Sequence, residues 1–157
     1  ISLNLRSIEV ISVMTITFAL LLLYADNYNK PSKQITNIST KVILIIGLFQ
    51  ILALVPGVSR SGIVITAALL LNYNRNDAIK IAFLLSIPAI FMASSYNLLQ
   101  LSSMGSVSIL NDHLLGMTLS LIVSYLTIYF FIATINKISF APYIIYRIML
   151  GTLLLII

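Results

Sequence analysis

Between Lys41 and Arg75 the chain carries a single charge, Arg60, set within apolar residues that run almost without a break. Similar runs recur over residues 8–24, 78–101, 114–135 and 144–157. In water they would expose more apolar surface than a core of this size could cover, whereas a bilayer solvates them. A helical span takes ~20 apolar residues across a hydrocarbon core of ~30 Å. With 157 residues, 60% of them hydrophobic and 8% charged, and a mean hydropathy of +1.09, the sequence predicts an all-α polytopic membrane protein with about four transmembrane helices.

The same composition excludes several function classes. There is no cysteine, so disulfides and thiolate metal sites are ruled out, and the single histidine, His113, excludes a multi-histidine centre within the chain. The formal net charge is +5, but the basic residues are spread over short loops between apolar runs. Cytoplasmic ends of membrane helices carry them in this way, so no nucleic-acid partner is expected. The first residue is Ile1 rather than methionine, which points to a fragment or a processed chain. Residues 8–24 lead into Asp26 and a basic loop instead of a small-residue cleavage site, so no signal peptide is expected.

Residues 8–24 are long enough to span, with Arg6 and Glu9 at one end and Asp26 at the other. A polar connection over 26–40 follows, in which Pro31 prevents a continuous helix and Lys30, Lys33 and Lys41 mark the cytoplasmic side. Residues 41–55 would make a helix of roughly 20 Å, too short to cross alone. Pro56-Gly57 ends it, and a second short helix is expected over 61–71. Either the two form one kinked span, or the chain turns back as a re-entrant hairpin over about 41–72. Lys41 on one flank and Arg75 and Lys80 on the other are all basic, which favours the hairpin. Asn76 or Asp77 is expected to cap the next span, 78–101, and Pro88 to kink it. Residues 102–113 lack Lys and Arg and read as an outer loop; 114–135 returns to the basic Asn136-Lys137. Residues 144–157 form a short last span, with Tyr143 and Tyr146 at interfacial depth. The whole, 1–157, reads as a single membrane domain.

Chemistry concentrates at the turn of the expected hairpin, Val55-Pro56-Gly57-Val58-Ser59-Arg60-Ser61-Gly62. A charge at the bilayer centre costs at least ~2.5 kcal/mol even on lenient insertion scales, so the arginine there needs a partner. Gly57 and Gly62 let backbone N–H groups approach a ligand, Ser59 and Ser61 supply hydroxyls, and Arg60 supplies a planar, permanently charged fork that fits phosphate. The second short helix opens at this point, and its unpaired N–H groups and positive dipole end favour an anion. These residues predict a phosphate or diphosphate cradle. The plainer reading is a helix-breaking turn whose arginine snorkels or binds a carbonyl.

Gln50 is expected either to bond a neighbouring helix or to orient the loop, and Thr66 either to bond back into its own helix or to point into the site. Arg147 reads as a snorkelling residue near the cytoplasmic surface, with a second anion contact as the alternative. Asp112 and His113 read as a solvated turn. Glu9 reads as a partner of Arg6 or of the helix dipole, unless the first helix reaches the hairpin. No carboxylate lies near the cradle in sequence, although hydrolysis of a phosphoanhydride needs a group that positions water, takes a proton or holds a metal.

Gly47-Leu48-Phe49-Gln50, followed by Leu52-Ala53-Leu54 and the turn through Gly62, resembles the second signature of the bacterial undecaprenyl-diphosphate phosphatases, the bacitracin-resistance family. Phe83-Leu84-Leu85-Ser86-Ile87-Pro88 and Tyr146-Arg147-Ile148-Met149-Leu150-Gly151 continue the likeness. The resemblance implies an enzyme of the bacterial plasma membrane, built from two inverted repeats with a re-entrant hairpin each. Such an enzyme hydrolyses undecaprenyl diphosphate to undecaprenyl phosphate and so recycles the cell-wall lipid carrier. Carried over to this chain, it implies catalytic roles for Arg60 and Ser59, and diphosphate binding by Gly57, Val58, Ser61, Gly62, Thr66 and Gln50. Family members often carry a threonine four residues after the arginine, where this chain has Val64.

The family's glutamate-rich motif and histidine belong to the first repeat and are not found in this sequence, so the chain resembles the second half. Carboxylates and Mg²⁺ or Ca²⁺ would come from a missing N-terminal half or a homologous chain, with a homodimer as one arrangement, and the chain alone would be inactive. A different class of protein, one that binds or moves a phosphorylated lipid without catalysis, would also use discontinuous helices. A third reading makes the hairpin a packing element only.

Overall fold

The computed structural model describes residues 7–103, 110–135 and 138–156. They form six α-helices: α1 (Ile8–Tyr28), α2 (Thr40–Ile51), α3 (Arg60–Leu70), α4 (Arg75–Ser103), α5 (Leu110–Ile135) and α6 (Ala141–Ile156). Among the described residues there is no strand, only an isolated bridge between Lys33 and Tyr73. Three helices are long and apolar enough to cross a membrane, α1, α4 over Arg75–Gln100 and α5 over Leu114–Ile135. α6 has 16 residues, about 24 Å of helix, short of a full hydrocarbon core. The protein is an all-α polytopic membrane protein.

Serine starts the first three helices. Ser7, Ser39 and Ser59 each accept a hydrogen bond from the N–H three residues on, at 3.3, 3.4 and 3.2 Å, which satisfies a donor that helix geometry leaves orphaned. α4 begins earlier than its sequence indicates, because its cap is Asn74 and not Asn76 or Asp77. The Asn74 side-chain oxygen accepts from the Asp77 N–H at 2.8 Å, and its amide donates to the Asp77 carboxylate at 2.9 Å. Asp77 also accepts from the Ile35 N–H at 3.1 Å, so it ties the start of α4 to the approach to α2. α4 continues through Pro88, and Pro142 sits in the first turn of α6, where a missing N–H is tolerated.

α2 and α3 form a helical hairpin. α2 closes in a 3₁₀ turn over Leu52–Leu54. Residues 55–58 then make a type II turn: the Val58 N–H bonds the Val55 carbonyl at 3.1 Å, Pro56 occupies the second position and Gly57 takes φ 92°. At the far end of α3, Asn72 adopts φ 67°. There the Tyr73 N–H reaches the Ala68 carbonyl at 3.1 Å and the Asn72 N–H reaches Leu69 at 2.9 Å, closing the helix as a Schellman motif. The Asn72 carbonyl accepts from both Ser32 and Lys33, at 3.0 and 3.1 Å, and the Asn29 amide donates to the Tyr73 carbonyl at 2.8 Å. The chain thus enters and leaves the hairpin at one end, a geometry that a single kinked span would not allow.

α3 is the most enclosed element, buried from Gly62 through Leu69. It packs against α1, α2 and α4, and α1 lies along α6. Gly151 of α6 sits against Ile16 and the Ser12 carbonyl, while Leu22 and Phe140 line a common cavity, so α1 and α6 run antiparallel. At the hairpin's base, Arg75 Nε meets Asp26 Oδ1 at 2.6 Å, joining α4 to α1. α5 differs from the rest: every residue from 114 to 130 is exposed.

Candidate functional site

The hairpin tip brings together an exposed cation and unpaired donors. Ser59 caps α3: its side chain takes the Gly62 N–H and its carbonyl takes the Ile63 N–H at 2.9 Å. The N–H groups of Ser59, Arg60 and Ser61 have no acceptor among the described residues. Arg60 and Ser61 are exposed, and Arg60 makes no hydrogen bond or ion pair among the described residues. A free guanidinium therefore stands on the first turn of an 11-residue helix, where the backbone dipole already favours negative charge.

Beneath this surface the tip is braced by α1 and α6. The Gly57 carbonyl accepts from Thr15 Oγ1 at 3.2 Å and from Arg147 Nη2 at 2.7 Å. Gly57 must be glycine on two counts: its φ is positive, and a Cβ there would run into the Ile11 carbonyl. Gly62 makes room for the arginine, since a Cβ at that position would come within 3.2 Å of Arg147 Nη1 and 3.1 Å of the Ser59 Cβ. The Arg147 guanidinium lies 5.9 Å from the Tyr143 ring centroid, and the Tyr143 hydroxyl is 3.1 Å from Ser59 Oγ.

Arg147 therefore does not snorkel. It is 6% exposed, because α6 lies along α1 and α1 presses against the tip, which aims the second turn of α6 at the Gly57 carbonyl. Tyr143, expected at interfacial depth, joins it as a support of Ser59. The signal for both was their spacing: Tyr143, Arg147 and Gly151 recur every four residues and share one helix face.

The remaining candidates separate by burial. Thr66 donates to the Gly62 carbonyl four residues back, at 2.7 Å, and is 1% exposed, so its hydroxyl bonds into its own helix. Val58 is buried in the core and offers the tip only its backbone. Gln50 lies in α2 with its side-chain oxygen buried and without a hydrogen-bond partner among the described residues. α1 does reach the hairpin, through Ile11 and Thr15. Glu9, one turn away, is exposed and has no ion pair among the described residues, while Arg6 lies outside them. Asp112 and His113 have their backbone in the first turn of α5 rather than in a loop, and their side chains lie outside the described residues. Among the described residues no three His, Cys, Asp or Glu side chains converge. Hard divalent cations want several carboxylate or carbonyl oxygens, and a guanidinium with N–H donors does not fit one. The tip fits an anion.

Residues 1–153 match the family described as Bacitracin resistance protein BacA. The chain is 44% identical over 148 residues to the "Undecaprenyl-diphosphatase" of Saccharophagus degradans, covering 94% of this chain and 56% of that protein. It is 46% identical over 154 residues to the protein of the same name from Teredinibacter turnerae, covering 98% and 58%. To "Undecaprenyl-diphosphatase 1" of Pseudoalteromonas translucida it is 43% identical over 163 residues, covering 99% and 59%. The chain thus spans between 56 and 59% of the length of these relatives.

Proposed function

The chain belongs to the bacitracin resistance protein BacA family, and from this we propose that it supplies the diphosphate-binding half of a site that hydrolyses undecaprenyl diphosphate to undecaprenyl phosphate and phosphate. One observation carries the reading: Arg60, exposed and unpaired among the described residues, stands beside the unpaired N–H groups at the capped start of α3. In the reaction water adds to the terminal phosphorus, the anhydride P–O bond breaks, and negative charge grows on the oxygen that leaves with the lipid phosphate. Arg60 and the N–H groups of residues 59–61 would offset that charge. Ser59 contributes as the cap that fixes the helix start, and Arg147 and Tyr143 as positioning residues behind it. The carboxylates and Mg²⁺ or Ca²⁺ that handle water belong, in this reading, to the portion of the longer relatives that this chain does not span. The N-terminal half, or a homologous chain that carries it, would present them. The hairpin is re-entrant in one of two inverted repeats, and its base, with Lys30, Lys33, Lys41 and Lys80, faces the cytoplasm of a bacterial plasma membrane.

The test is equilibrium binding of undecaprenyl diphosphate to the chain in lipid nanodiscs. Arg60→Ala should lower affinity about tenfold or more, as expected for losing a charge-assisted hydrogen bond. Unchanged affinity would reduce the hairpin to a packing element. Phosphate release should appear only when the N-terminal half is co-expressed. Tight binding without release in the joined halves would favour a non-catalytic lipid carrier.

A further inference from the structure

We infer that the cavity lined by α1, α3, α4, α5 and the start of α6 holds the first isoprenoid unit of a polyprenyl diphosphate, directly behind the anion site. The inference rests on the diphosphate reading of the tip and adds the place of the hydrocarbon. The cavity measures about 180 Å³, and Ile65, Ala82, Phe83 and Phe131 are among its walls. Ser61, Gly62 and Tyr143 also line it, so it begins at residues that build the tip.

Away from those residues it offers carbon alone. The Thr127 hydroxyl is engaged with its own helix, donating to the Val123 carbonyl at 2.7 Å, and the Tyr143 hydroxyl is directed at Ser59. Polar groups placed there would go unpaired, at a penalty that disfavours a nucleotide or sugar phosphate. An amphiphile whose anion is bonded straight to hydrocarbon meets unpaired donors at one end and apolar walls at the other.

The size sets the register. Apolar cavities of ~150 Å³ stay dry and accept benzene, so this one has room for about one five-carbon unit. Its aromatic wall is continuous: Phe83 meets Phe131 edge-on with centroids 6.2 Å apart, and Phe131 meets Tyr143 in the same way at 6.5 Å. Thr127 and Phe131 also line an open apolar groove of about 520 Å³ with Val123, Leu126 and Phe130. The groove shares two residues with the cavity and gives the rest of the chain a route along α5 to the lipid phase.

Two farnesyl diphosphate probes, one with a diazirine on the first isoprene unit and one on the third, would be photolysed with the chain in nanodiscs and the adducts mapped. First-unit adducts are expected on Ile65, Phe83 or Phe131 and third-unit adducts on residues 123–130, both competed by inorganic pyrophosphate. Ala82→Phe, and separately the exposed Thr127→Phe, should lower farnesyl diphosphate affinity about tenfold or more while leaving pyrophosphate affinity unchanged. Pyrophosphate-competed binding with first-unit adducts elsewhere, or with both folded variants binding normally, overturns the cavity assignment and leaves the tip reading standing. Binding that pyrophosphate does not compete and Arg60→Ala does not weaken overturns both. Should either substitution prevent folding, the adduct map on the unaltered chain still decides.

Discussion

Gly57 and Gly47 lie ten residues apart in one hairpin and should tolerate a side chain in opposite ways. At Gly57 alanine meets both a left-handed backbone and the Ile11 carbonyl, and Gly57→Ala should cost about 2 kcal/mol or more. At Gly47 an added Cβ meets nothing within 4 Å, so Gly47→Ala should be neutral or gain up to ~1 kcal/mol. Thermal unfolding in detergent checks both, and equal shifts would contradict the close approach of α1 to the tip. The two arginines of the site should separate in the same measurement. Arg60→Ala removes a group with no protein partner among the described residues and should leave the midpoint within about 0.5 kcal/mol of the parent. Arg147→Ala should lower stability by about 1.5–3 kcal/mol, because it deprives the Gly57 carbonyl of its charged donor. Arg60 was legible in the sequence because its neighbours are glycines and hydroxyls in an apolar context. Arg147 was not, because the carbonyl that defines its role lies 90 residues earlier in the chain.

Among the elements, the hairpin shows what local pattern conveys and what it leaves open. Its breaks were plain in Pro56-Gly57 and in the polar run from Asn72, since those residues take backbone angles or leave donors that a helix cannot accommodate. The start of α4 was not plain, because Asn74, Asn76 and Asp77 are all competent caps; in the fold Asn74 caps the helix, and Asp77 is turned to the Asn74 amide and to the Ile35 N–H, a partner 42 residues earlier in the chain. The junction of α4 with α1 carries a directional prediction. The Asp26 side chain is 3% exposed and that of Arg75 is 42% exposed. Removing the arginine strands a buried carboxylate, whereas removing the carboxylate leaves an arginine that water can reach. Arg75→Met should therefore destabilise by about 3 kcal/mol, and Asp26→Asn by clearly less. Equal losses in denaturant titrations would mean that the pair is solvated.

Across the whole molecule, apolar runs announce spans but not which sides of them meet protein. α1 hides one stripe, including Ser12, Thr15, Ala19 and Leu22, while α5 hides nothing from 114 to 130. A lipid-soluble carbene reagent should therefore label α1 mainly at Val13, Leu20 and Tyr24, and α5 on every side. One-sided labelling of α5 in the isolated chain would contradict the packing described. Order of synthesis gives the bracing of the hairpin a further meaning. The carbonyl that clamps its base belongs to Asn72, the carboxylate beside it to Asp77, and the guanidinium that finishes its tip to Arg147 in α6. Each partner leaves the ribosome after the segment it secures. The Arg60 turn thus leaves the ribosome well before its final brace, and that brace arrives only when α6 comes to rest along α1.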